Sequence, residues 1–191
     1  MKEPSSLIMR SNSALMVIDF QTSLAPAMSG LAAVSTNINA LVQSAIQLDV
    51  PLTVTEHCPD KIGLTVASIR DQCRNEDIVI KTAFDALSEQ SIVRHLDTLG
   101  RNQIVVAGTE SHVCVLQTVF GLLRHGYEPY VVCDAVASRK VYDKEIALSR
   151  FAAQGIQCVT TEMVLFEWLM RGDTSEFKKL IPLIKDLKCE S

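Results

Sequence analysis

The run Ile104-Val-Val-Ala-Gly-Thr-Glu-Ser-His-Val-Cys-Val-Leu-Gln-Thr-Val-Phe-Gly-Leu-Leu-Arg-His125 decides how this chain is read. Its first four residues are apolar and mostly β-branched, the mark of a buried strand. Gly108 and the polar residues Thr109 to His112 break the run. After them the apolar residues Val113, Leu116, Val119, Phe120 and Leu123 recur at helical spacing. Cys114 therefore falls in the first turn of a helix, just past the carboxyl end of a strand. A helix N-terminus carries about half a positive elementary charge and presents unpaired amides. A thiol placed there is drawn toward the nucleophilic thiolate. The same residue also reads as a structural thiol, because free cysteine is among the most buried residue types.

Working outward, the chain repeats one rhythm. Upstream, residues 14–20 form a near-continuous apolar run with Asp19 at its end, which predicts a strand buried on both faces. Residues 21–30 read as a loop and 31–48 as a helix. A second strand is expected over 51–55, then a loop over 56–63, and a third strand over 78–80 ending at Lys81. Downstream, helices over 88–99 and 141–153 and strands over 103–107, 130–133 and 156–159 continue the alternation. Gly100, Gly126 and Gly155 follow the three helix ends and read as C-caps. Two amphipathic helices close the chain between 162 and 187, with Pro182 starting or kinking the last. The fold class is α/β: a three-layer αβα arrangement, Rossmann-like, with a mostly parallel sheet of about six strands plus C-terminal helices. One domain spans 1–191, with residues 1–12 a mobile lead-in.

Composition narrows the function. The 191 residues are 48% hydrophobic and 21% charged, as in ordinary globular proteins. A net charge of −4 offers no basic footprint for nucleic acid. No apolar run approaches the length of about 20 residues that spans a bilayer, and no signal core is visible, so a cytoplasmic setting is expected. Six cysteines without CxxC spacing read as reduced thiols.

In a parallel α/β sheet, ligands bind outside the carboxyl ends of the strands where the strand order reverses. Asp19, Lys81 and Cys114 all occupy such ends. Singly, an Asp there is a turn residue and a Lys a solvated one. Together they supply a nucleophile, a base and a cation.

These residues carry a resemblance. Residues 15–21 (Leu-Met-Val-Ile-Asp-Phe-Gln), 78–84 (Ile-Val-Ile-Lys-Thr-Ala-Phe) and 108–115 (Gly-Thr-Glu-Ser-His-Val-Cys-Val) resemble, in order and separation, the three motifs of the isochorismatase-like cysteine hydrolase superfamily. The likeness runs from about residue 12 to 165 and is nearest to the isochorismatase domain-containing branch. It implies an Asp19–Lys81–Cys114 triad acting on a small amide through a thioester. It also implies a cis peptide between Thr109 and Glu110, an oxyanion hole from the amides of Glu110 and Cys114, and a homo-oligomer.

Nicotinamidase-type relatives hold a divalent metal through an Asp-x-His after strand two. Here the matching place is Thr55-Glu56-His57, and the next histidine is His95. One His beside one Glu does not make a metal site, so neither metal nor other cofactor is expected. Isochorismatases proper work without the cysteine, so Cys114 points to the amidase side. Phe20, Gln21, Glu56, His57 and Phe84 flank the triad and are candidate pocket walls for a small-molecule substrate. His112 is expected to point away along its turn, and Trp168, Leu165 and Phe166 read as core or interface residues. A scaffold that keeps the fold without turnover, and a redox sensor built on Cys114, stay open as other classes.

Overall fold

The computed structural model describes residues 7–187. Its strands are β1 (Ser13–Ile18), β2 (Leu52–His57), β3 (Ile78–Lys81), β4 (Gln103–Thr109), β5 (Glu128–Ala137) and β6 (Gln157–Val159). They form one sheet in the order β3-β2-β1-β4-β5-β6, and every strand pairing is parallel. The helices are α1 (Leu31–Gln47), α2 (Pro59–Ile62), α3 (Ala67–Arg70), α4 (Gln90–Leu99), α5 (Cys114–Arg124), α6 (Val141–Ala153), α7 (Thr161–Leu169) and α8 (Ser175–Asp186). Among the described residues no helix is long and apolar enough to cross a membrane.

The central strands read as unbroken apolar runs because both their faces are covered. Side chains alternate across a strand. Leu15 and Val17 accordingly join one core with Val34, Ile38 and Leu41 of α1, Trp168 of α7 and Leu180 of α8. Ala14, Met16 and Ile18 join the other with Ile92 and Leu96 of α4, Val115 and Val119 of α5, and Phe151 of α6. Three layers result, with β1 and β4 at the centre. Their common boundary is where strand order turns from descending to ascending. Gly108 marks the closest approach there. Its φ is +133°, and a Cβ built on it would lie 2.1 Å from the Ile18 carbonyl oxygen.

Several extents differ from expectation. β2 runs on through Glu56 and His57, because β3 pairs with it as far as His57 opposite Lys81. β5 is ten residues long. Its pairing with β4 slips at a bulge, where the two steps from Val106 to Gly108 face five from Val131 to Val136. Pro182 lies inside α8, where its missing amide removes one intrahelical bond. Of the expected mobile lead-in, residues 1–6 lie outside the described residues, while 8–10 and 12 are at least half-buried. Ile8 is fully buried, its amide donates to the Glu167 carboxylate at 2.6 Å, and Arg10–Asn12 form a 3-10 turn. The Gln103 side chain, accepting from the Met9 amide at 2.7 Å, and Arg10 Nε, donating to the Leu48 carbonyl oxygen at 2.6 Å, hold the segment alongside Ile8.

Candidate active site

β1, β3 and β4 each deliver one reactive side chain to the same end of the sheet. β1 stops at Asp19, which sits at φ +51°, a conformation that turns the chain abruptly out of the sheet. Its amide remains tied to β2 through the Thr55 carbonyl oxygen at 3.1 Å. Its Oδ1 accepts from Thr55 Oγ1 at 2.6 Å and its Oδ2 from Lys81 Nζ at 2.6 Å. Lys81 reaches across β2 to do so, is 1% exposed, and donates also to the Ala83 carbonyl oxygen at 3.1 Å. A lysine and an aspartate buried together leave neither charge uncompensated.

Cys114 is the first residue of α5 and is buried. Its thiol lies within the influence of both the Asp19 and the Lys81 charges. Thr109 Oγ1 donates to the Asp19 carbonyl oxygen at 2.5 Å, which ties the turn after β4 to the turn after β1. The helix start is where the sequence places it, but the thiol is not shifted toward thiolate. Burial, followed by the Asp19 charge, pushes the Cys114 thiol up to about 12, against a smaller lowering by Lys81. The resting group is a protonated thiol.

The expected cis peptide is absent: the Thr109–Glu110 bond is trans, as is every peptide among the described residues. The turn is made instead by two positive φ angles, +133° at Gly108 and +58° at Glu110. Glu110 is buried, with Oε1 2.7 Å from Arg139 Nε. His112 turns toward this cluster, with Nδ1 2.9 Å from Ser138 Oγ and 3.4 Å from Glu110 Oε2.

Three of the candidate pocket walls are committed elsewhere. Phe20 lies in the core beside α1. Gln21 is a brace: its side-chain amide donates to the carbonyl oxygens of His57 (3.1 Å) and Gly63 (2.5 Å) and accepts from the His57 amide at 2.8 Å. Glu56 is buried, its Oε1 taken by Arg70 and by the Thr65 amide at 2.7 Å. These polar side chains satisfy groups that β2 and its loop bury, so they present no free edge to a ligand. His57 and Phe84 remain at the surface of the site. Their rings stack with centroids 5.4 Å apart, and Phe84 is 51% exposed. Burial, and next the Lys81 charge, holds the His57 imidazole below its ordinary range. Trp168 and Leu165 are core, and the indole N–H donates to Ser13 Oγ at 2.8 Å. Phe166 is exposed and its ring tilts against Phe177. Thr55, which holds the Asp19 carboxylate, was not among the candidates, and Thr109 was a candidate only for the turn. The position of Thr55 on β2, opposite Ile18 at the last rung of β1, was the available signal.

A parallel sheet in this order, with acid, amine and thiol gathered where the order reverses, defines a three-layer, Rossmann-like α/β protein with its site at the switch point. Within that class the chain belongs to the isochorismatase family, since the model of the isochorismatase domain matches residues 13–163. It is 35% identical over 154 residues to the secreted isochorismatase effector Isc1 of Phytophthora sojae, covering 78% of this chain and 72% of that protein. It is 31% identical over 173 residues to isochorismatase domain-containing protein 2 of Danio rerio, covering 90% and 86%. Among solved structures, the MAR1 ribonuclease of Caenorhabditis elegans superposes with a TM-score of 0.90 at 30% identity, covering 97% and 96%. The YcaC gene product of Escherichia coli, described as an octameric hydrolase of unknown specificity, superposes at 0.89 over 95% and 92%. At 20% identity, that second likeness is one of fold.

Proposed function

We propose that this isochorismatase-family chain is a metal-independent cysteine hydrolase of small amides or related carbon–nitrogen bonds. One observation carries the reading: a buried Asp19–Lys81 pair, 2.6 Å apart, whose charges act on the buried thiol of a cysteine that opens a helix. In this scheme the Cys114 sulfur attacks the amide carbonyl as its proton passes to Asp19, so that free thiolate never accumulates. Lys81 balances the carboxylate before transfer and orients it throughout. The oxyanion is held by the Cys114 amide, which as the first of α5 has no intrahelical acceptor, with the Glu110 amide as second donor. Asp19 returns the proton to the departing amine, and water then hydrolyses the thioester. No metal is needed, because Glu56 is engaged by Arg70 and His57 is stacked on Phe84. That same stacked pair is the candidate wall against which a planar substrate would lie.

The test is ammonia release from a panel of small primary amides, with single-stranded RNA as a control substrate. The wild-type chain should turn over at least one amide, and Cys114→Ala should lose that activity by about 10³-fold or more. RNA cleavage indifferent to Cys114→Ala, or amide turnover that survives the substitution, overturns the reading.

A further inference from the structure

A second pair of thiols lies on the far side of β5 from the site. Cys158 is the middle residue of β6, the outermost strand, and its rung partner on β5 is Val131. The last rung of that pairing is Val132 with Val159. Cys133 comes next, at the start of the segment where β5 bulges out of register with β4. Residues two apart share a face of a strand, so Cys133 and Cys158 stand on the same face. A bulge also releases a side chain from the regular ladder direction. The Cys133 thiol donates to the Val131 carbonyl oxygen at 3.8 Å and the Cys158 thiol to the Leu148 carbonyl oxygen of α6 at 4.0 Å, so neither is held by a strong partner. Neither thiol is fully buried, and both are free. The nearby charges are Asp134, next to Cys133, and Lys144 on α6.

We propose that Cys133 and Cys158 are a dithiol modification site, oxidised reversibly by hydroperoxides to an intramolecular disulfide and separate from the Cys114 centre. The electronics suit the geometry. The neighbouring Cys133 side chain favours the Cys158 thiolate, while Cys158 and burial push the Cys133 thiol up. Cys158, in the short edge strand β6, is the attacking sulfur, and Cys133, on the inner strand β5, the resolving one. The Cys158 thiolate attacks the distal peroxide oxygen. An S–O bond forms, the O–O bond breaks, and the departing oxygen takes a proton to leave as alcohol or water. The Cys133 sulfur then attacks the sulfenic sulfur. An S–S bond forms, the S–O bond breaks, and water leaves with the Cys133 proton, so two thiols have reduced one peroxide. The diagonal must shorten for the sulfurs to bond, which is easiest at β6, a strand of three residues held on one side only. Cys114 offers no competition, since its thiol is pushed far above neutrality.

The experiment treats the reduced full-length chain with hydrogen peroxide, blocks remaining thiols, and maps peptides by mass spectrometry. Wild type should lose two of its six thiols, and Cys114→Ala two of its remaining five, to one Cys133–Cys158 cross-link, restored by dithiothreitol. In Cys133→Ser, Cys158 should instead stall as sulfenic acid and advance to sulfinic acid. Oxidation that begins at Cys114, or a wild-type product in which Cys158 is over-oxidised while Cys133 stays free, overturns the proposal. So does a cross-link that joins any other pair.

Discussion

Asp19 holds a position few aspartates could keep without help. It is fully buried, in left-handed backbone, with Thr55 on one carboxylate oxygen, Lys81 on the other and Thr109 on its carbonyl. Its charge also raises the Cys114 thiol, and this gives a prediction whose sign runs against the usual expectation for a base. Alkylation of wild-type Cys114 should climb about tenfold per pH unit well above neutrality. Asp19→Asn removes a charge that favours the thiol, so alkylation at fixed pH should quicken while amide turnover is lost. Lys81→Met removes the cation that favours thiolate, so alkylation should slow. It should also destabilise the chain by about 3–5 kcal/mol in urea, because Asp19 is left buried without its partner. Slower alkylation in Asp19→Asn would falsify this account of the thiol. The triad was legible because all three residues stand at strand ends and are chemically complementary. Gln21 and Glu56 looked equally promising from the same kind of position. Their partners, Gly63, Thr65 and Arg70, come from an irregular stretch whose course has no periodic signature.

At the scale of elements, the type and order of the six strands and of the longer helices followed from apolar periodicity and from glycines past helix ends, whereas the four-residue α2 falls in the stretch read as a loop. What periodicity could not supply was where pairing stops. β2 and β5 outrun their apolar cores because neighbouring strands continue to offer rungs, and the β5 bulge has no counterpart in composition. The turn after β4 shows how much rests on one small residue. At Gly108 a side chain would meet the Ile18 backbone, which cannot swing aside as a long side chain could. Gly108→Ala should therefore cost about 3 kcal/mol or more, through both the positive φ and the clash. It should also part Asp19 from Cys114, since β1 and β4 meet at this point. Chemical denaturation checks the first effect and amide turnover the second. A loss under about 1 kcal/mol would mean that the two strands have slack at this contact.

For the whole molecule, the part of the chain that matches the family model is not the part that completes the core. The match ends at residue 163, yet Val164, Leu165, Trp168 and Leu180 lie beyond it and are buried against α1 and the sheet. Each such side chain is worth about 1.5–3 kcal/mol on burial, and together they rival the entire stability of a typical domain. A chain ended after residue 163 should therefore lack a cooperative thermal transition; a sharp melt would show that the family-matched portion stands alone. The strand order has a further consequence for how the chain is made. β1 sits in the middle of the sheet, but its neighbour β4 is synthesised only after β2 and β3. Until Gln103–Thr109 has left the ribosome, the wholly apolar Ala14–Ile18 flank is an open edge, able to recruit the same flank of another nascent chain. Solubility in this molecule is thus a matter of timing: the interval between the third strand and the fourth is when aggregation competes with folding.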